Sequence, residues 1–179
     1  MSAKTRILMD AQQMERTLER IAAEILERGA ADLALVGIRT RGVHLAQRLW
    51  QMIRRVEDTN VDLGILDINL YRDDLSMVAD HPVLKKTEIP FAVGGKRLVL
   101  VDDVLYTGRT IRAALDAVVD LGRPRAIELV VMVDRGHREL PIRADYVGLE
   151  IPTQAGQHVR VLVQEEDQID RIELGDTED

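Results

Sequence analysis

Two periodicities alternate along the chain. After Asp10, apolar residues at Met14, Leu18, Ile21, Ala22, Ile25 and Leu26 recur every three or four positions and paint one face of a helix. Asp10 stands at the N-cap and Gly29 at C′, where a left-handed residue closes a helix. Leu33–Val36 predicts a short strand, Gly37-Ile38-Arg39-Thr40-Arg41-Gly42 a turn, and Val43 to Arg55 a second helix. Val61–Tyr71 alternates and predicts a strand. Residues 72–95 are polar, hold Pro82 and Pro90, and keep no period; the stretch is too long for an idle connection. Arg97–Val101 predicts a buried strand, Gly108–Leu121 a helix and Ile127–Val133 another buried strand. Tyr146–Leu149 and Val159–Val163 are shorter strand-like runs.

Strands apolar on both faces and alternating with helices imply a parallel sheet covered on both sides. The expected class is α/β, one domain over residues 1–179. Composition adds exclusions. The chain has no cysteine, which removes disulfides, thiolate metal sites and cysteine nucleophiles. With 46% hydrophobic and 31% charged residues it has the profile of a soluble globule rather than a disordered chain. The longest apolar runs, Leu98–Val101 and Leu129–Val133, fall far short of a membrane span. Met1 to Arg6 lacks the apolar core of a secretory signal, so a cytoplasmic location is expected.

The net charge of −7 is unevenly placed. Residues 165–179 carry eight acids and one base, which leaves 23 of each in the rest. An acidic C-terminal tail on a balanced body is therefore expected. Twenty of the 24 bases are arginine, whose planar fork suits phosphate, although genome composition explains such a total equally well.

Candidate chemistry concentrates in Leu98-Val99-Leu100-Val101-Asp102-Asp103-Val104-Leu105-Tyr106-Thr107-Gly108-Arg109-Thr110. A buried strand delivers two adjacent carboxylates at its C-terminal end, where α/β sheets bind ligands. A tight turn with hydroxyls and a glycine then enters a helix, whose free N–H groups cradle an anion. Acids beside an anion cradle call for a ligand bearing both phosphate and hydroxyls or a metal, such as a sugar phosphate. No Walker A loop and no dinucleotide fingerprint occurs. A bare Asp-Asp or Thr-Gly would be an ordinary cap; the thirteen-residue run is more specific. Gly37–Gly42, taken alone, fits an ordinary turn between strand and helix.

This run resembles the PRPP-binding signature of type I phosphoribosyltransferases. Three further stretches are similar to the PyrR family of bifunctional pyrimidine-operon attenuation regulators and uracil phosphoribosyltransferases. They are Gly37–Gly42, Leu70-Tyr71-Arg72-Asp73-Asp74-Leu75, and Val133-Asp134-Arg135-Gly136-His137-Arg138-Glu139-Leu140-Pro141-Ile142-Arg143-Ala144-Asp145-Tyr146. The resemblance runs from Asp10 to about Val163 and implies a mostly parallel sheet with helices on both faces and a small hood. It also implies site residues. Asp102 and Asp103 would face the ribose hydroxyls and Mg²⁺ of PRPP, Tyr106 to Thr110 would wrap its 5′-phosphate, and Val104 and Leu105 would belong to the same PRPP-binding run. Thr40 and Arg41 would meet the pyrophosphate on a strained loop, and Arg72 would begin a lid over residues 72–95. Arg135 and the backbone near Val159 would border uracil. Tyr106, standing where 6-oxopurine enzymes place an acid, disfavours a purine.

The same resemblance implies a second partner, leader mRNA of the pyrimidine operon, with UMP or UTP as co-effector and no DNA or membrane involved. Arg20, Arg28, His137 and Arg138 would form the RNA face on the surface of a homodimer or higher homo-oligomer. Glu19 and Leu149, with Glu150 beside it, depart from the hydroxyl and lysine common in the family, and an acid opposes phosphate binding. The alternative is a uracil phosphoribosyltransferase alone, its RNA surface lost. On the two-surface expectation, Arg138→Ala removes RNA binding and spares catalysis. His44, His81 and His158 carry no assigned role.

Overall fold

The computed structural model describes residues 5–56, 58, 60–71 and 87–176. Strand β1 (Arg6–Met9) leads into α1 (Ala11–Glu27), β2 (Leu33–Ile38), α2 (Arg41–Val56) and β3 (Asp62–Leu66). The chain continues through β4 (Arg97–Leu105), α3 (Arg109–Leu121), β5 (Ala126–Asp134) and β6 (Tyr146–Glu150). It ends in β7 (Gln157–Leu162), α4 (Gln164–Asp167) and β8 (Arg171–Asp176).

Five strands form a parallel sheet in the order β3-β2-β4-β5-β6. Its apolar runs are explained by two cores. Val99, Val101, Val130 and Met132 face α1 and α2, whereas Leu98, Leu100, Leu129 and Val131 face α3. Successive strand residues point to opposite faces, so a sheet covered on both sides needs an apolar residue at every position. The helices begin as their caps dictate. Asp10 accepts from Gln13 N at 2.8 Å while the Gln13 side chain accepts from Asp10 N at 2.9 Å, a reciprocal box that ties off two orphan donors. Gly29 takes φ +84° beyond the end of α1.

Arg97, 5% exposed, anchors the sheet at the opposite end from its loops. It donates to both Glu128 oxygens at 2.9 Å, to the Tyr146 hydroxyl and to the Ile25 and Gly29 carbonyls. Burial pushes the Glu128 carboxyl up, but hydrogen bonds from Arg97 and Tyr146 outweigh it and bring it down to about 2. Burial and the Glu128 carboxylate push Tyr146 up to about 12.

A second sheet is antiparallel, ordered β1-β8-β7, and forms the hood. It corrects the expected acidic tail. Between residues 164 and 176 the chain holds α4 and β8, and most of the described acids of the segment are paired. Glu165 and Asp170 both meet Arg48, Glu166 meets His44, Asp167 meets Arg41, and Glu173, 3% exposed, meets Arg160 and Arg171.

Two other expectations change. Strand β3 stops at Leu66 rather than Tyr71, because the Asp67 side chain accepts from Asn69 N at 3.0 Å and Tyr71 N turns back to Ile68 O. A carboxylate that bonds its own backbone two residues on competes with the sheet ladder. Of the expected lid, residues 72–86, Arg72 among them, lie outside the described residues. From Thr87 the chain belongs to the body: Glu88 bridges Ile65, and Ile89, Phe91 and Val93 pack on the α3 core.

Candidate active site

The C-terminal ends of β2, β3 and β4 converge on a cavity of about 390 Å³. The β2–α2 turn contributes Thr40 and Arg41, the end of β3 Asp67 and Asn69, and β4 with the start of α3 contributes Asp102, Asp103, Val104 and Thr110. The turn is held tight against the sheet. A Cβ on Gly42 would stand 2.4 Å from Val101 O, so only glycine lets α2 start directly over β4. The peptide bond between Arg39 and Thr40 is cis.

Asp102 is 6% exposed, and burial, followed by the charge of Asp103, raises its carboxyl well above the usual range. Asp102 accepts from Asp103 N at 2.9 Å, and Asp103 from Val104 N at 2.8 Å, so both carboxylates are fixed by the strand's own backbone. A cation arriving here relieves their repulsion. Beside them, Asp67 Oδ2 is buried with no hydrogen-bond partner among the described residues. Among the described residues no group of three acids or histidines could hold a metal ion by itself. Oxygen donors in adjacent pairs suit Mg²⁺, which binds one or two carboxylates and completes its shell with water and substrate phosphates.

The turn that starts at Tyr106 ends at Gly108, φ +93°, the N-cap of α3. Thr107 accepts at Oγ1 from Arg109 N, and its carbonyl accepts from Glu139 N and Leu140 N. Arg109 pairs with Glu139 at 2.7 Å. The Leu105 side chain is core, 1% exposed, and its carbonyl accepts from Arg135 N. Arg138 donates to Tyr106 O, Ile142 O and Asp134. Burial would raise Asp134, but the Arg138 hydrogen bond holds its carboxyl below the usual range. Thus Val133–Tyr146, singled out by its sequence, is the buttress of the anion turn.

That buttress also reaches the hood. The Arg135 guanidinium lies 4.0 Å over the Tyr106 ring, with His137 edge-on to the same ring at 5.9 Å. Arg135 donates to Thr153 Oγ1 and Gln157 O, and the His137 ring bonds Thr153 O at 2.6 Å. Val159 packs its side chain on the α1–α2 core and sits on β7, an edge of the hood sheet. Arg135, Val159 and Tyr106 are not among the residues lining the 390 Å³ cavity.

The four basic residues expected to meet RNA fall into two groups within one chain. Arg20 bonds Glu24 and the Val147 and Gly148 carbonyls of edge strand β6, and Arg28 meets Glu128 at 3.2 Å and lies over Tyr146. His137 and Arg138 follow the far end of β5. From Glu128 to Asp134 is about 20 Å of strand. Sequence reading missed Asp67, hidden in an alternating run, and Asp167, hidden in an apparent tail.

A parallel sheet whose strand ends gather paired acids beside a helix N-terminus is the arrangement of a type I phosphoribosyltransferase. The phosphoribosyl transferase domain family matches residues 5–166. The hypoxanthine phosphoribosyltransferase of Trypanosoma cruzi superposes with a TM-score of 0.73 over 97% of both chains at 17% identity, and that from Staphylococcus aureus with 0.71 over 97% of this chain and 92% of that one at 19%. Within the class, the chain belongs to the PyrR family. It is 55% identical to the bifunctional protein PyrR of Deinococcus deserti, covering 100% of this chain and 99% of that one, and 57% identical to that of Thermus thermophilus, covering 96% of each.

Proposed function

We propose that the protein transfers the phosphoribosyl group of PRPP to uracil, forming UMP and pyrophosphate, and that it also binds pyrimidine-operon leader RNA under control of UMP or UTP. The observation that carries the enzymatic half is the single cavity holding Asp102, Asp103, Thr40 and Arg41 beside the N-terminus of α3. The bond from ribose C1 to pyrophosphate breaks as a uracil nitrogen bonds to C1 through an oxocarbenium-like state, and the N–H proton passes to water or to the departing pyrophosphate. Arg41 and the Thr40 backbone receive the pyrophosphate charge, and Asp103 faces the cationic ribose, by preorganised electrostatics. Asp102 and Asp103 would hold Mg²⁺ jointly with PRPP, and the ion supplies charge neutralisation at the leaving group. The Tyr106–Thr110 turn takes the 5′-phosphate. Arg135, above Tyr106, and the β7 edge near Val159 border the base; Arg72 would join from the lid.

The regulatory half is supported by kinship with full-length bifunctional relatives. Arg20 and Arg28 on one side of β6 and His137 and Arg138 beyond β5 supply the basic groups, and a homodimer or higher homo-oligomer would bring copies of the two groups together. No described helix is long and apolar enough to cross a membrane, in keeping with work in the cytoplasm.

Two assays test the pair. Labelled uracil with PRPP and Mg²⁺ should give UMP, and none without PRPP; no UMP under any condition overturns the enzymatic half. Leader RNA should bind more tightly with UMP and less tightly in high salt. Binding no better than to a scrambled hairpin leaves the enzyme alone.

A further inference from the structure

Glu165, Glu166 and Asp167 are consecutive, and each meets a different residue of α2: Arg48, His44 and Arg41 respectively. Positions 41, 44 and 48 share one face of a helix, so the acidic turn runs antiparallel along α2 and straps the hood to it. Only the last pair reaches the cavity. Asp167 takes Arg41 side-on, Nε to Oδ2 at 3.1 Å and Nη2 to Oδ1 at 2.7 Å. Its Oδ2 also accepts from Val163 N at 2.9 Å, so the carboxylate is fixed by its own turn. Two parallel bonds fix the plane of a guanidinium as well as its position. Arg41 Nη1 is left without a protein partner among the described residues, on the side chain that lines the cavity with Asp103.

We infer that Asp167 is a positioning residue for phosphoribosyl transfer, holding Arg41 by one edge so that its remaining N–H groups meet the pyrophosphate of PRPP. The inference rests on the proposed placement of pyrophosphate at Arg41. An arginine free to rotate must be ordered each time substrate binds; one already clamped meets it at no such cost. Asp167 thereby makes the hood part of the leaving-group site. The opposite role, a carboxylate that competes with pyrophosphate for Arg41, predicts the opposite sign.

The test compares the full chain with Asp167→Asn, Asp167→Ser, Asp167→Glu and Glu165→Gln, reading kcat, both KM values and calorimetric binding of inorganic pyrophosphate. Asp167→Asn and Asp167→Ser should raise KM for PRPP and weaken pyrophosphate binding about tenfold, with KM for uracil unchanged. Asp167→Glu should recover part of the loss. Glu165→Gln loosens the same strap without touching Arg41 and should leave KM for PRPP within about twofold of the parent. An unchanged or lower KM for PRPP in the Asp167 variants overturns the inference, as does an equal loss in Glu165→Gln. If the parent itself forms no UMP and binds no pyrophosphate, the functional reading falls and the inference with it; if the parent is active and the Asp167 variants match it, the positioning role alone falls.

Discussion

Arg138 Nη1 donates to the backbone carbonyl of Tyr106 at 2.6 Å, joining the turn after β5 to the turn that opens α3. The bond gives Arg138 a part in the scaffold of the candidate phosphate turn as well as in any RNA surface. Its other donors end on Asp134 and Ile142 O.

Arg138→Ala should therefore fail to separate the two activities. It strips a partner from Asp134 and two carbonyls, at a cost of about 2 kcal/mol, or roughly 4–8 °C in Tm for a chain of this size. KM for PRPP should rise along with the loss of RNA affinity. Melting curves and steady-state kinetics on one preparation decide it; unchanged PRPP kinetics would restore the two-surface expectation.

Asp103→Asn keeps the shape of the strand end and removes the charge proposed to face the ribose. UMP formation should drop by about 10²–10³-fold, with leader RNA bound as before. Parallel turnover and gel-shift measurements are the check.

Gly42→Ala should be far worse than its size implies. The new methyl meets Val101 O at 2.4 Å, and backbone on both sides leaves neither partner able to give way. About 1–3 kcal/mol of stability should be lost, and activity should fall further than stability because Arg41 moves with the start of α2. Comparing the variant with the parent at a temperature where both are folded isolates the second effect.

The Arg97–Glu128–Tyr146 group predicts the shape of stability against pH. Glu128 titrates near 2 when folded and at about 4.3 when unfolded. Its contribution is thus fully present above about 4.3 and disappears as pH falls toward 2. Tyr146 runs the other way: raised from about 10 to about 12, it stabilises fully below 10 and loses that contribution as pH climbs through 12. Urea unfolding of Glu128→Gln should show a large deficit at pH 7 that shrinks toward pH 2. A deficit that stays constant would refute the linkage.

Much of this was readable in advance. Helical spacing and continuous apolar runs located α1, α2, α3 and the buried strands β2, β4 and β5, because a doubly covered sheet writes its burial into every residue. The Asp102–Thr110 run holds the paired acids and the turn into α3 from which the candidate site is built, since those residues are close in sequence. What escaped depended on distant partners. Glu173 looks solvated until Arg160 and Arg171 neutralise it, and Asp167 looks like tail until Arg41 is found across a gap of 126 residues. β1 is four residues, two exposed and two half-buried, a strand only because β8 pairs with it.

That pairing has a consequence for the order in which the protein is made. β1 is the first described strand to be synthesised and β8 the last, with about 160 residues between them. The parallel sheet and both its cores can assemble on a growing chain, but β1 waits for residues 171–176, and Arg41 for the strap at Asp167. A nascent chain thus carries Asp102, Asp103 and the turn into α3 before β8 can pair with β1, and gains the Asp167–Arg41 pair only once residue 167 has emerged.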